Sequence, residues 1–157
     1  MIGLKTDIKT KWKNYVMKAD AEKARYHKVE YGTDSLYAVI SATGLVPGKK
    51  YTFSARIRLN IQETNATKVF EFHANLKKSL KWYSAPGQPI SGKGDIDEFL
   101  SVTITPPEDA DENTKWDIDV SCMRPEYRYV PHDGDYYIFE HVMVNEGDKP
   151  LPFIDPE

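Results

Sequence analysis

The chain has 157 residues, enough for one domain with a substantial core, and its 21 basic and 24 acidic residues give a formal net charge of −3. This balance offers no electrostatic reason to bind nucleic acid or anionic lipid, and no apolar run is long enough to span a bilayer. Cys122 is the only cysteine, which excludes an internal disulfide, and the absence of a signal-peptide pattern predicts a soluble chain without a targeting segment.

Alternating or β-branched and aromatic segments recur along the chain, each bounded by Gly, Pro, Asn or Asp, and predict seven or eight strands. In chain order they are a less regular segment at residues 14–18, then 26–31, 35–43, 50–62, 68–76, 98–105, 115–123 and 136–145. Only residues 20–28 have the composition of a helix, of one or two turns. The pattern predicts an all-β fold, an antiparallel β-sandwich of either jelly-roll or immunoglobulin-like type.

Three of these strands, at residues 50–62, 68–76 and 115–123, have an apolar side and a polar side, because successive side chains of a strand point to opposite faces. If the three strands share one sheet, their polar sides form a single field: Arg56, Arg58, Glu71, His73, Asp117 and Asp119. Such a field is either a solvated face with cross-strand ion pairs or a sugar-binding face, since planar polar groups make directed hydrogen bonds to vicinal hydroxyls. Sugars also need aromatic platforms, for which the candidates are Trp82, Tyr83, Tyr127 and Tyr129.

The sequence contains no catalytic motif. Its four histidines are scattered without zinc-ligand spacing, and no nucleophile elbow or phosphate-binding glycine loop occurs. Asp117 and Asp119 are better explained as counter-ions of the arginines than as an acid and base pair. Oxygen ligands from Asp109, Asp111 and Glu112, or from Glu140, could hold a structural calcium, but no loop has a calcium-binding spacing. We therefore predict a protein that is not an enzyme and has no cofactor.

Two stretches resemble known families. "ATGLVPGKKYTFSARIRLN", residues 42–60, resembles the corresponding stretch of jelly-roll carbohydrate-binding modules allied to families 4, 9 and 22. "YYIFEHVMVNEGDKPLPFIDPE", residues 136–157, is similar to the ending of tail proteins of bacteriophages that infect Gram-positive hosts. The resemblance covers residues 35–157 and implies a jelly-roll fold, with one module over residues 1–157 whose residues 146–157 are an exit linker. It implies a class of ligand and no individual binding residue.

The resemblance implies a non-catalytic module of a distal tail or baseplate protein that binds host cell-wall polysaccharide for adhesion. Its partners would be that polysaccharide and other tail or baseplate proteins, with no nucleic acid and no membrane, and its location would be the virion tail, outside the cell. Two alternatives stay open. One is a sugar-binding accessory module of a secreted glycoside hydrolase, and the other is a purely structural spacer domain of the tail.

Overall fold

The computed structural model describes residues 12–30, 40–61, 70–78, 81–84, 88–90, 94–121 and 134–157; for residues 61, 70–78, 81–84, 88–90 and 119–121 it describes the backbone only. Within these ranges a 3₁₀ turn (Lys18–Asp20) and a helix, α1 (Ala21–Arg25), precede nine strands. The strands are β1 (Tyr26–Glu30), β2 (Ile40–Ala42), β3 (Tyr51–Ile61), β4 (Phe70–Lys78), β5 (Lys81–Ser84), β6 (Gln88–Ile90), β7 (Gly94–Ile104), β8 (Trp116–Ser121) and β9 (Tyr136–Glu146). The seven well-defined predicted strands each overlap an observed strand, whereas β5 and β6 were not predicted.

The strands form two antiparallel sheets, and the chain passes repeatedly from one to the other. The four-stranded sheet has the order β1-β9-β3-β7, and the five-stranded sheet has the order β2-β8-β4-β5 with β6 also paired to β4. Strands β1, β3, β7 and β9 thus belong to one sheet, while β2, β4, β5, β6 and β8 belong to the other. This order is that of a jelly roll. The prediction of an all-β antiparallel sandwich of jelly-roll type is confirmed.

The core lies between the sheets and is rich in large rings. Its largest fully buried side chains include Trp116, Tyr51, Tyr137, Phe53 and Phe139. In β3 the predicted apolar side is buried from residue 51 to residue 59 at every second position. Burial of this alternating side is what fixes the register of the strand, because a slip of one residue would turn the polar side inward.

The segment at residues 14–17 closes one side of the sandwich by bonding to both sheets. The backbone N–H of Tyr15 donates to the carbonyl of Val144 in β9 at 2.8 Å, and that of Met17 donates to Ser41 in β2 at 2.8 Å. Only one residue of the segment, Val16, makes a β-bridge, to Ala42. The predicted strand at residues 14–18 is therefore wrong as a strand, since its backbone bonds are divided between two sheets and it enters the 3₁₀ turn directly.

Asn14 is buried within this closing segment and uses its whole hydrogen-bonding capacity. Its amide nitrogen donates to the carbonyls of Val142 at 3.1 Å and Ile154 at 2.9 Å. Its amide oxygen accepts from the backbone N–H groups of Val16 and Val144, both at 3.1 Å. An asparagine side chain has two donor hydrogens and two acceptor lone pairs, so none of the four is left unmade.

The segment after β9 packs back onto the sandwich. The buried side chain of Asn145 donates to the carbonyl of Lys149 at 2.9 Å and accepts from the N–H of Leu151 at 3.1 Å. Further along, Arg25 of α1 makes two hydrogen bonds of 2.8 Å to the carboxylate of Asp155. The assignments of one domain over residues 1–157 and of an exit linker at 146–157 stay predictions. In the described part of the chain, no helix is long and apolar enough to cross a membrane.

Candidate functional site

The predicted field of six polar residues does not exist as one surface. Strand β3, which carries Arg56 and Arg58, belongs to the four-stranded sheet, whereas β4 and β8 belong to the five-stranded sheet. The outer faces of the two sheets point away from each other, since the core lies between them. The prediction that the three strands share a sheet is wrong, because the jelly-roll connection sends the chain from β3 across the sandwich to β4.

The five-stranded sheet brings together most of the other predicted residues. His73 pairs with Asp119, and the alternation along β4 and β8 gives Glu71 and Asp117 the same face. Trp82 pairs with Lys77, which lies on the same face as His73 because the two residues are four positions apart in β4. Register gives Tyr83 the opposite face, that of the buried Ile118. Of this group only Asp117 has a described side chain, which accepts a hydrogen bond from the Ser41 hydroxyl at 3.3 Å. Tyr127 and Tyr129 lie outside the described residues.

The four-stranded sheet presents a polar outer surface with aromatic groups at both ends, which we call the four-strand face. Its residues are Tyr26, Lys28, Glu30, Arg56, Arg58, Asn60, Asp95, Asp97, Phe99, Tyr136, Ile138 and Glu140. Strand register aligns four of them in one row across the sheet, in the order Tyr26, Glu140, Arg56, Phe99. Tyr26 and Phe99 are 50% and 59% exposed, and no other large apolar side chain of the described residues is exposed. Three strand spacings, about 14 Å, separate the backbones of Tyr26 and Phe99.

Between the two rings the charged groups form a fixed network. Arg56 makes a bidentate contact with Asp97, with distances of 2.9 Å from Nε and 2.6 Å from Nη2, and its Nη1 lies 3.6 Å from Glu140. Arg58 also donates to Glu140, whose side chain is only 16% exposed. The hydrogen bond from Arg56 lowers the pKa of Asp97, so this carboxylate is ionised at neutral pH. The planar groups are therefore held in place before any ligand arrives.

A cleft of about 220 Å³ lies beside this network and is lined in part by Arg58, Asp95, Asp97 and Tyr136. The Nε of Arg58 is buried and has no hydrogen-bond partner among the described residues. Asp95 accepts a hydrogen bond from the Asn60 amide at 2.8 Å, which orients both groups. A buried donor without a partner costs free energy. Arg58 therefore combines an ion pair with one unused donor at the edge of a cleft.

A β-bulge explains why His141 turns outward next to Glu140 while the rest of β9 keeps its core contacts. The β3–β9 register shifts between Ser54 and Arg56, and His141 in the bulge has a φ of 56°. Phe139 before the bulge and Val142 after it are both fully buried, although they are three residues apart. The extra residue thus turns Glu140 and His141 outward together.

Sequence reasoning missed the residues that complete this face. The sequence pattern places Tyr26 in a strand without indicating a role for it, and it offers Glu140 only as a calcium ligand. The strand containing Asp97 and Phe99 was predicted to begin at residue 98, whereas β7 begins at Gly94. The alternation of Asp95, Asp97 and Phe99 could have indicated that the strand begins earlier and that these residues share its outer side. The hydrophobicity of Phe99 argues against that side, because a phenylalanine is usually buried.

Comparison with known proteins gives structural similarity only. No protein-family model and no curated protein match the sequence. A CBM4 structure (CBM, carbohydrate-binding module) aligns over 78% of this chain and 71% of its own, with 20% identical residues and a TM-score of 0.50. A family 16 carbohydrate-binding module covers 74% and 73%, with 10% identity and a TM-score of 0.47. The CBM22-1 and GH10 modules of a Clostridium thermocellum xylanase, complexed with xylohexaose, cover 92% and 29%, with 11% identity and a TM-score of 0.46.

The first of these similarities shows a shared β-sandwich fold. The resemblance to carbohydrate-binding modules is thus confirmed at the level of fold. The resemblance of residues 136–157 to bacteriophage tail proteins stays a prediction.

Proposed function

We propose that this protein is a non-catalytic carbohydrate-binding module and that its four-strand face holds the glycan. The observation that carries the proposal is the row in which exposed Tyr26 and Phe99 flank the paired Arg56 and Glu140. Sugars are amphipathic: their C–H faces pack on aromatic rings, and their hydroxyls bond to guanidinium and carboxylate groups. A row that crosses all four strands suits an oligosaccharide rather than a single sugar.

The charge network supports binding rather than hydrolysis. A glycosidase needs one protonated carboxyl group as general acid, with its pKa raised. On this face Asp97 has a lowered pKa because it is hydrogen-bonded to Arg56, and Glu140 is held by two arginines. The ionised Asp97 carboxylate is therefore suited to accept hydrogen bonds from hydroxyls.

The test is titration of the intact protein with a panel of neutral oligosaccharides and insoluble polysaccharides, followed by the variants Tyr26→Ala and Phe99→Ala. Aromatic contacts contribute about 0.5–1.5 kcal/mol, so each variant should weaken binding by about two- to tenfold. Glu108→Ala, in an exposed loop, is the matched control and should bind as the parent does.

The variant Trp82→Ala tests which of the two sheets binds the glycan, because Trp82 belongs to the five-stranded sheet. If Trp82→Ala abolishes binding while Tyr26→Ala and Phe99→Ala keep the parent affinity, the glycan lies on the five-stranded sheet and the four-strand face is the wrong choice. That result would instead support the predicted group of Glu71, His73, Asp117 and Asp119.

For the biological setting we propose adhesion of a bacteriophage tail to host cell-wall polysaccharide, supported by the resemblance of residues 136–157. Exposed polar groups exchange bonds with water for bonds with sugar at small net gain, so each site binds weakly, and repetition on a symmetric tail would compensate. Staining of host walls by a multimeric form of the protein tests this setting. Retention on plant or microbial β-glucan or xylan without wall staining would favour a hydrolase accessory module, and no glycan binding at all would favour a structural spacer.

A further inference from the structure

A second cleft lies at one end of the sandwich, away from the four-strand face. It has a volume of about 330 Å³ and is lined by Trp12, Lys13, Tyr15, Glu146 and Gly147; we call it the end cleft. Glu146 stands six residues after Glu140 in β9, which places their backbones about 20 Å apart. The volume lies at the lower end of the range for small-molecule sites, about 300–1,000 Å³.

The aromatic walls of the end cleft are fixed in position. The Trp12 indole N–H donates to the carbonyl of Pro152 at 3.1 Å. The Tyr15 ring packs edge-on against the buried Tyr51, with centroids 5.4 Å apart, and its backbone is bonded to Val144 and Thr43. Because both side chains are already ordered, binding of a ligand in the cleft would cost the protein little further conformational entropy.

The end cleft is lined by one cation, Lys13, and one carboxylate, Glu146. Lys49 lies 3.4 Å from the Glu146 carboxylate and balances it. Lys13 is exposed, its amino group lies 5.0 Å from the centroid of the Tyr15 ring, and it has no carboxylate partner among the described residues. Burial, followed by the nearby Tyr51 and Glu146, raises the pKa of Tyr15, so its hydroxyl is protonated at neutral pH and can donate a hydrogen bond.

We propose that the end cleft binds a single sugar ring that carries an anionic group, a carboxylate or a phosphate. The ring of Trp12 would receive the C–H face of the sugar, and the hydroxyl of Tyr15 would donate a hydrogen bond to it. The amino group of Lys13, which lies over the Tyr15 ring, would pair with the anion. Glu146 would accept hydrogen bonds from the ring hydroxyls. This site is separate from the four-strand face and does not depend on the function proposed for that face.

The experiment is an NMR titration of the full chain, which has three tryptophans and hence three indole N–H signals. Trp12→Phe assigns the Trp12 signal. The probes are glucuronic acid, glucose 6-phosphate, glucose and inorganic phosphate. We expect the two acidic sugars to shift the Trp12 indole and the Gly147 amide, and glucose to shift them much less. Lys13→Gln should weaken acidic-sugar binding by about fivefold, the upper range for an exposed ion pair, while Lys18→Gln, a control in the 3₁₀ turn, should not.

Three outcomes would overturn the proposal. The first is that neither acidic sugar shifts the Trp12 or Gly147 signal up to its solubility limit. The second is that glucose binds with the same affinity as the acidic sugars and Lys13→Gln has no effect. The third is that inorganic phosphate binds as tightly as the sugar phosphate. Phe99→Ala should leave acidic-sugar binding at the end cleft unchanged. That variant separates failure of this site from failure of the four-strand face.

Discussion

Asn14 offers the sharpest test of how the sandwich is closed, because one small side chain joins three segments. Replacing Asn14 by Ala removes four hydrogen bonds at once, to Val142, Ile154, Val16 and Val144. A typical hydrogen bond contributes a net 0.5–1.5 kcal/mol, so the four together predict a loss of about 4 kcal/mol in the free energy of unfolding. Since a domain is stable by only about 5–15 kcal/mol, this is a large fraction of the total.

The assay is urea unfolding followed by circular dichroism, in which the midpoints of the parent and the variant are compared at constant slope. In a separate thermal scan we expect the melting temperature of the variant to be lower by about 10 °C. Asn14→Asp, which keeps the shape, should cost at least as much because it places carboxylate oxygens against the carbonyls of Val142 and Ile154. Asn113→Ala is the control, since Asn113 is exposed, and should change stability by less than about 0.5 kcal/mol. A loss below about 1 kcal/mol for Asn14→Ala would refute the reasoning.

Three further predictions concern other fixed points of the fold. At His141, whose φ is 56°, Gly removes the left-handed strain and Val increases it, so we expect His141→Gly to be more stable than His141→Val by about 1–2 kcal/mol in urea unfolding. Tyr51→Phe should cost about 1–2 kcal/mol and speed amide exchange at Val46, whose N–H donates to the Tyr51 hydroxyl at 3.1 Å. The hydrogen bond from Arg25 lowers the pKa of Asp155 below its unfolded value, so this pair stabilises the fold above about pH 4 and the contribution is lost as the pH falls through the folded pKa. Melting curves of the parent and Arg25→Gln should therefore differ at neutral pH and converge in acid.

Each of these has its own contrary result. Equal stability of the two His141 variants would mean that the bulge relaxes at no cost. An unchanged exchange rate at Val46 in Tyr51→Phe would show that the tyrosine hydroxyl does not protect that amide. A constant difference between the parent and Arg25→Gln across the whole pH range would exclude the Arg25 and Asp155 pair as its source.

The sequence predicted what depends on local alternation. The buried row from Tyr51 to Leu59 and the outward position of Arg56 follow from the period of two residues, because only one side of β3 can face the core. Alternation tells the inner from the outer side of a strand, but it contains no information about which sheet the strand joins. The separation of Arg58 from His73 therefore could not be read from the pattern.

The candidate site was harder to predict, because its geometry depends on contacts across the sheet. Arg56 was expected to meet Asp117 or Asp119, but it meets Asp97 and Glu140, which come from the two strands beside β3. The bulge at His141 also breaks the alternation of β9, so a strict period would have placed His141 rather than Val142 in the core. The residues that pair across a sheet depend on the order of its strands, and that order depends on packing between distant parts of the chain.

The closing segment has a consequence for the order in which this protein can fold. Asn14 bonds to residues that follow it by 128, 130 and 140 positions, and β9 is inserted between β1 and β3. During synthesis on the ribosome, the earlier strands must therefore wait with their edges unpaired until β9 has emerged. We expect slow folding with a high contact order, in which chaperones that shield those edges raise the yield of native protein.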